Sequence, residues 1–330
     1  ACALDWSAIS PAIFGSLFQS IMDEKARRNL GAHYTSEANI LKLIKPLFLD
    51  ELHAEFERVK GHRNKLFEFH KKLRQLTFFD PACGCGNFLV ISYRELRELE
   101  LKVLRADHEL SAHKGQLTMD VHSLIGVNVD QFFGIEIEEF PAQIAQVAMW
   151  LVDHQMNLRV SVEFGLYFAR IPLKSSPQIR HANALRLDWN EVLPAERCSY
   201  VLGNPPFIGH QWRTPAQAED MSYVWGDEGK FGRLDFVTCW HKKTVDYMKG
   251  GRICSAAFVS TNSICQGEQV GVLWSWMLSQ GAVIHFAHKT FAWSNEARGN
   301  AAVHCVIIGF KLSNSTEKTP DPATASSSST

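Results

Sequence analysis

The run Leu76-Thr77-Phe78-Phe79 passes directly into Asp80-Pro81-Ala82-Cys83-Gly84-Cys85-Gly86-Asn87-Phe88-Leu89, and a helical pattern follows over Asn87–Arg105. A short buried strand, a loop of small residues and a helix in immediate succession bring bare backbone N–H groups close to a ligand. A dinucleotide-binding fingerprint would place a third glycine at position 89. Leu89 stands there instead, so a dinucleotide is disfavoured. Asp80, at the end of the expected strand, would repel a pyrophosphate. It can hold a cationic amine, directly or through water, and that fits the methionine ammonium of S-adenosylmethionine.

The periodicity extends this pattern along the chain. Strands are expected at Leu76–Phe79, Phe132–Ile137, Gln178–His181, Cys198–Leu202, Arg252–Val259, Val283–His288 and His304–Phe310. Helices are expected at Asn87–Arg105, Phe140–His154, Leu234–Lys249 and Gln269–Ser279. Such alternation implies an α/β fold, a mainly parallel sheet covered on both faces. Before it, residues 1 to about 74 are dominated by helical patterns, including Ile9–Leu30 and Glu37–Lys60, with the basic stretch Arg58–Arg63 as a helix end or loop. No internal repeat is present.

A second segment carries chemistry of its own. Tyr200-Val201-Leu202 leads into Gly203-Asn204-Pro205-Pro206-Phe207. Taken alone, Asn-Pro-Pro after an apolar run can equally be a turn. Beside the first motif it suits methyl transfer to an exocyclic amino nitrogen. The lone pair of such an amine is delocalised into its ring, so the nitrogen is a poor nucleophile until its hydrogens are held. Asn204 can offer its side-chain oxygen and Pro205 its backbone carbonyl, which the fixed φ of Pro205 and Pro206 keeps pointing outward. Phe207 supplies a face on which an extruded base can stack.

With these residues in view, Asp80 to Leu89 resembles the cofactor motif of amino-group DNA methyltransferases, commonly Asp-Pro-Ala-Cys-Gly-Ser-Gly-Asn-Phe-Leu, with Cys85 in place of the serine. Asn204 to Phe207 resembles their catalytic motif. Gly31-Ala32-His33-Tyr34-Thr35-Ser36 resembles their N-terminal cofactor motif, commonly Gly-x-x-Tyr-Thr-Pro, with Ser36 in place of the proline. Together with Pro11–Gly15 and Phe291-Ala292-Trp293, the pattern is similar to the methyltransferase portion of MmeI-like restriction–modification enzymes, up to about Leu312. The resemblance implies a class I S-adenosylmethionine-dependent methyltransferase fold, a seven-stranded sheet with one antiparallel strand near its end. It also implies N6-adenine methylation of double-stranded DNA, where the physical chemistry alone allows cytosine N4 as well.

Two further positions complete the cofactor site. Phe132–Ile137 ends in an acidic residue, and Glu136 can accept hydrogen bonds from both ribose hydroxyls. Because Glu138 and Glu139 adjoin it, a solvated charge run is the competing reading. His181-Ala182-Asn183-Ala184-Leu185 resembles the family's third cofactor motif, in which Asn or Asp addresses the adenine, although Asn183 can equally mark a plain turn. The expected cofactor contacts are therefore Tyr34, Thr35, Asp80, Pro81, Ala82, Cys83, Gly84, Gly86, Asn87, Phe88, Glu136, Ile137, Asn183 and Ala184. Asn204, Pro205, Pro206 and Phe207 form the catalytic set.

Composition narrows the alternatives. At 330 residues with 46% hydrophobic content the chain can bury a sizeable core. No apolar run is long enough to span a bilayer and no signal peptide opens the chain, so a cytoplasmic protein is expected. The eight cysteines lack paired metal-ligand spacing and read as reduced thiols, and no metal is assigned. Of the fourteen histidines, His62, His70, His108 and His113 lie in polar segments expected to be exposed. Net charge is −1, which lacks the basic surplus of a protein that grips DNA alone. Carbon-5 cytosine methylation would need a cysteine nucleophile, usually in Pro-Cys, and no such dipeptide occurs.

The expected organisation is a helical region over 1–74 carrying a cofactor motif, a catalytic domain over 75–312, and a disordered tail or linker over 313–330. The motif order, cofactor before catalysis, resembles the gamma group, in which the target-recognition domain follows the catalytic one. The chain reads as an excised portion of a larger protein, with DNA recognition in a C-terminal module and any nuclease domain elsewhere. Glu228-Gly229-Lys230 is better read as a charged loop than as a nuclease motif. The isolated chain is then expected to bind cofactor but to associate with DNA weakly. Two competitors stay open: a protein-glutamine or RNA amino methyltransferase with a similar Asn-Pro-Pro-aromatic motif, and a cofactor-binding scaffold inactive without missing domains.

Overall fold

A computed structural model describes residues 35–112, 125–164, 176–226, 231–251, 254–292 and 304–313. Ile9–Leu30, Pro11–Gly15, Gly31–Tyr34, His113, Glu228–Lys230, Trp293 and the tail beyond Ser313 lie outside the described residues.

Seven strands form one sheet in the order β3-β2-β1-β4-β5-β7-β6. They are β1 Phe78–Asp80, β2 Phe132–Glu136, β3 Gln178–His181, β4 Tyr200–Gly203, β5 Ser255–Thr261, β6 Ala282–Ala292 and β7 His304–Leu312. The first five are mutually parallel, and β7 runs antiparallel to both β5 and β6. This is the class I methyltransferase sheet, and the seven expected strands are all present with ends shifted by a few residues. The chain steps outward from β1 to β2 and β3, then crosses back to β4 and β5. A topological switch point therefore falls between β1 and β4, where open α/β sheets place their ligands at the carboxyl ends of the strands.

Alternation along β1 divides the core in two. Phe78 stacks on Phe132 of β2, with ring centroids 4.8 Å apart, and on Tyr200 of β4 at 5.5 Å. Phe79 points to the opposite face against Trp189 and Tyr247. All three β1 residues are buried, as expected of a central parallel strand covered on both sides. On the Phe78 side lie α1 Glu37–Ile44, a π-helical stretch Lys45–Leu49, α2 Asp50–Val59, α3 Arg63–Gln75, α4 Asn87–Ala112 and α5 Glu139–Phe164. Their apolar residues share one core with Phe78, Leu202, Val259 and Ile307 of the sheet. On the Phe79 side lie α6 Pro215–Trp225 and α7 Thr238–Lys249.

Two differences from the sequence reading have simple causes. His70 is buried, 7% exposed, with Nε2 2.8 Å from Glu100 Oε1. It lies one helical turn from Leu66 and from Leu73, on the inward face of α3, so the polar neighbours face water while His70 does not. Glu100 also accepts from the Gly126 and Val127 amides at 2.7 and 3.0 Å. His62 and His108 are exposed as expected. Helix α6 was not anticipated, although its start is written locally. Thr214 accepts from the Gln217 amide, Gln217 Oε1 accepts from the Thr214 amide at 2.9 Å, and Pro215 opens the helix.

Candidate active site

Because β1 to β4 are parallel and adjacent, their carboxyl ends bring the sequence motifs together. Asp80 ends β1, Glu136 ends β2, Asn183 follows β3 by two residues, and Asn204 follows β4 directly.

The loop after β1 is shaped by its glycines. Gly84 and Gly86 take φ values of +54° and +83°, which side-chain-bearing residues rarely adopt. A Cβ on Gly86 would lie 3.0 Å from the Ala145 Cβ of α5, so glycine also allows close packing there. A Cβ on Gly84 would meet nothing within 4 Å, leaving the backbone open to a ligand. The loop is held from several sides. The Cys83 amide donates to the Ile135 carbonyl at 3.0 Å, and the Gly84 amide donates to Glu136 Oε2 at 2.8 Å. The Pro81 carbonyl accepts from Trp240 Nε1 at 3.0 Å.

Two carboxylates face this loop. Asp80 is 1% exposed, its Oδ1 accepts from the Ala82 amide at 3.0 Å, and its Oδ2 has no partner among the described residues. Burial pushes the Asp80 carboxyl up to about 8, and the Ala82 hydrogen bond only partly offsets this. Glu136 places Oε1 on the Glu138 amide at 3.0 Å, and burial raises its pKa against the pull of those amides. Glu136 is thus a loop-holding carboxylate at the carboxyl end of β2, and Ile137 beyond it is 52% exposed.

The remaining cofactor candidates divide. Cys83 is buried and Cys85 half-buried, both thiols pushed upward by burial, Cys85 to about 12. Ala82 is half-buried against the second core, and Asn87 begins α4. Phe88 and Ala184 are buried in the first and second cores respectively. Asn183 uses both polar atoms within the protein: Oδ1 accepts from the Leu185 amide at 2.9 Å, and Nδ2 donates to Asp220 Oδ2 at 2.9 Å. Asp220 also accepts from Arg186 Nε at 2.5 Å, so α6 is clamped to the segment after β3.

Asn204 joins the N-terminal motif to the catalytic one. Its Nδ2 donates to Thr35 Oγ1 at 3.1 Å across 169 positions of sequence, while Tyr34 lies outside the described residues. Asn204 Oδ1 is buried and has no partner among the described residues. An unmet buried acceptor costs about 1–3 kcal/mol, and a donor brought in from outside would offset that cost. Pro205 is buried, Pro206 is half-buried, and Phe207 packs between both cores. Gly203 ties this segment to Asp80, since a Cβ there would stand 2.5 Å from Asp80 Oδ1. Glycine-bordered backbone, unpaired Asp80 and Asn204 oxygens, and an acidic strand end suit a cationic nucleoside cofactor beside an amine substrate.

Lys243 and Trp240 were not singled out from sequence. Lys243 Nζ donates to the Leu185 and Leu187 carbonyls at 3.2 and 2.6 Å, and burial lowers its pKa to about 8. Their apolar and basic spacing on α7 gave no sign of contacts so distant in sequence. Among the described residues no cluster of three metal-ligating side chains occurs, and no helix is long and apolar enough to cross a membrane.

Comparison with known proteins places this geometry. The family described as MmeI, DNA-methyltransferase domain, matches residues 56–320. DNA methyltransferase A of Bacillus subtilis (strain 168) is 40% identical over 310 residues, 93% of this chain and 34% of that protein. The structure of the type IIL restriction–modification enzyme MmeI in complex with DNA is 66% identical with a TM-score of 0.90, covering 96% of this chain and 42% of that one. The DrdV–DNA complex shares the fold, with a TM-score of 0.54 at 13% identity over 92% of this chain and 28% of that one. The chain therefore spans well under half the length of each of these relatives.

Proposed function

The chain belongs to the MmeI DNA-methyltransferase domain family, and from that premise we propose that it moves a methyl group from S-adenosylmethionine to N6 of an adenine flipped out of duplex DNA. The supporting observation is the buried Oδ1 of Asn204, without a partner among the described residues, on a side chain held by the Thr35 contact directly after Gly203, whose Cβ position lies 2.5 Å from Asp80 Oδ1.

The cofactor's sulfonium supplies an already activated methyl group, so the protein's work is alignment in a water-poor pocket. Asn204 Oδ1 and the Pro205 carbonyl would accept hydrogen bonds from the two N–H groups of the target amine and so localise the nitrogen lone pair. The new nitrogen–carbon bond replaces the methyl–sulfur bond, a neutral thioether leaves, and one amine proton passes to water. Phe207 stacks on the extruded base and offsets part of the few kcal/mol that flipping costs. Asp80 would receive the cofactor's ammonium, the Gly84 backbone would face its methionine part, and Glu136 would accept from its ribose. Asn183, with both polar atoms engaged, shapes the wall near the adenine through the fold of its loop.

On this reading the protein is the modification part of a restriction–modification system. Target recognition and any cleavage are then work for segments outside this chain, which covers 34% of the Bacillus subtilis relative and 42% of MmeI. The test is Asn204→Ala. Methyl transfer to DNA should be abolished while calorimetric affinity for S-adenosylmethionine stays within about twofold, because the lost acceptor acts on the base alone. Equal loss of both would assign Asn204 to cofactor binding, and full activity would remove it from the reaction.

A further inference from the structure

The catalytic segment leaves the sheet at Gly203, and its far end is fastened by a residue that neither motif contains. Asp235 is 4% exposed. Its Oδ1 accepts from the amide of Ile208, the residue after Phe207, at 3.1 Å, and from the Val237 amide at 3.1 Å. The Phe236 amide donates to the Ile208 carbonyl at 3.0 Å, so Ile208 is held through both of its backbone groups. Asp235 is itself fixed: its amide donates to Gln269 Oε1 at 3.0 Å, and its carbonyl accepts from Thr238 Oγ1 at 2.7 Å.

Helix α7 begins three residues later and reaches the cofactor side. Trp240 holds the Pro81 carbonyl of the loop after β1, and Lys243 holds the Leu185 and Leu187 carbonyls after β3. One stretch of nine residues, 235–243, thus grips the exit of the catalytic segment and two loops of the cofactor side. A turn at the start of a helix would need only the Val237 contact. The second donor, Ile208 N, lies 27 positions away and gives Asp235 a different task.

We propose that Asp235 is a positioning residue for methyl transfer, its carboxylate fixing the exit of Asn204–Phe207 so that the amine acceptor and the stacking ring stay in register with the cofactor loop that Trp240 holds. This rests on the methyltransferase reading above. Asp235 acts through Ile208 and does not touch the base, so its loss should disturb alignment and leave cofactor binding intact. Misplacement of reacting groups by about 1 Å costs on the order of 10²-fold in rate.

Three variants of the protein test this. Asp235→Ser keeps an acceptor for the Val237 turn but is too short to serve Ile208 as well. It should fold as the wild type does, retain its Kd for S-adenosylmethionine within about twofold, and lose kcat for methyl transfer by on the order of 10²-fold. Asp235→Ala should show the same split if it folds. Asp235→Asn, which keeps a carbonyl of the same reach, should recover most of the rate. Amide hydrogen exchange should quicken at Ile208 in the Ser variant and stay unchanged at Cys83 and Gly84. Wild-type kcat in the Ser variant, parallel loss of cofactor affinity, an Asn variant no better than Ser, or unchanged exchange at Ile208 would each overturn the proposal. A full-length parent protein, carrying this chain unaltered, that methylates no DNA would overturn the methyltransferase reading instead, and the exchange comparison would still decide whether Asp235 holds Ile208.

Discussion

Replacing Asp80 by asparagine removes one titratable proton beneath the loop after β1 while preserving the side chain's shape. Burial pushes the Asp80 carboxyl up to about 8, so at pH 7 the free protein holds about 0.9 of a proton there. A cationic amine brought within about 4–6 Å lowers a carboxyl pKa by about 1–3 pH units. Taking the middle of that range, the bound value is about 6 and the occupancy at pH 7 falls to about 0.1, so cofactor binding should release about 0.8 of a proton. Calorimetric titration with S-adenosylmethionine at pH 7, in two buffers of different ionisation enthalpy, reads this directly. Because binding releases the proton, affinity should tighten as pH rises from the bound to the free value, by up to about tenfold per pH unit, and level off above about pH 8. Asp80→Asn should abolish both the buffer dependence and the slope. The folding linkage has its own sign. The folded value lies above the ordinary 3.8, so the stabilisation from a protonated Asp80 is fully present below that value and is lost as pH rises through about 8. A buffer-independent binding heat in the wild type, or the same proton release in Asp80→Asn, would refute the assignment of the ammonium to Asp80.

Two further perturbations probe the same crevice. Glu136→Gln gives up one charge-assisted contact of about 1.5–3 kcal/mol and should weaken cofactor binding by roughly 10–150-fold by calorimetry, whereas undiminished affinity would remove Glu136 from the site. Gly203→Ala drives a Cβ to within 2.5 Å of Asp80 Oδ1 and should cost about 1–3 kcal/mol in urea denaturation for that contact, a share relieved in an Asp80→Ala background, while the strain of a side chain at φ +155° remains in both. No relief there would mean that the two motifs are not packed against each other as described.

What was legible in the sequence is what local chemistry writes. The Phe78-Phe79-Asp80 strand, the glycines at 84 and 86 and the helix from Asn87 follow from residues adjacent to one another, and the structure bears out their strand–loop–helix form. The order of parallel strands then brings Asp80, Glu136 and Asn204 to one edge without further instruction. Long-range partners were not legible. Nothing near Asn204 announces that Thr35 will hold its amide, and Asp235 reads as a charge before an apolar helix until Ile208 is seen against it. Asn183 shows the opposite failure, since its motif position says nothing of the Asp220 carboxylate that engages its amide. His70 misled because burial in α3 depends on helix phase and not on the polarity of neighbours.

If Asn204 holds the target amine, the identity of the methylated atom reports it most directly. The full-length parent protein, supplied with methyl-labelled S-adenosylmethionine and duplex DNA, should place the label in N6-methyladenine on nucleoside analysis, and Asn204→Ala should abolish that product. Label recovered as 5-methylcytosine, or only in protein, would contradict it.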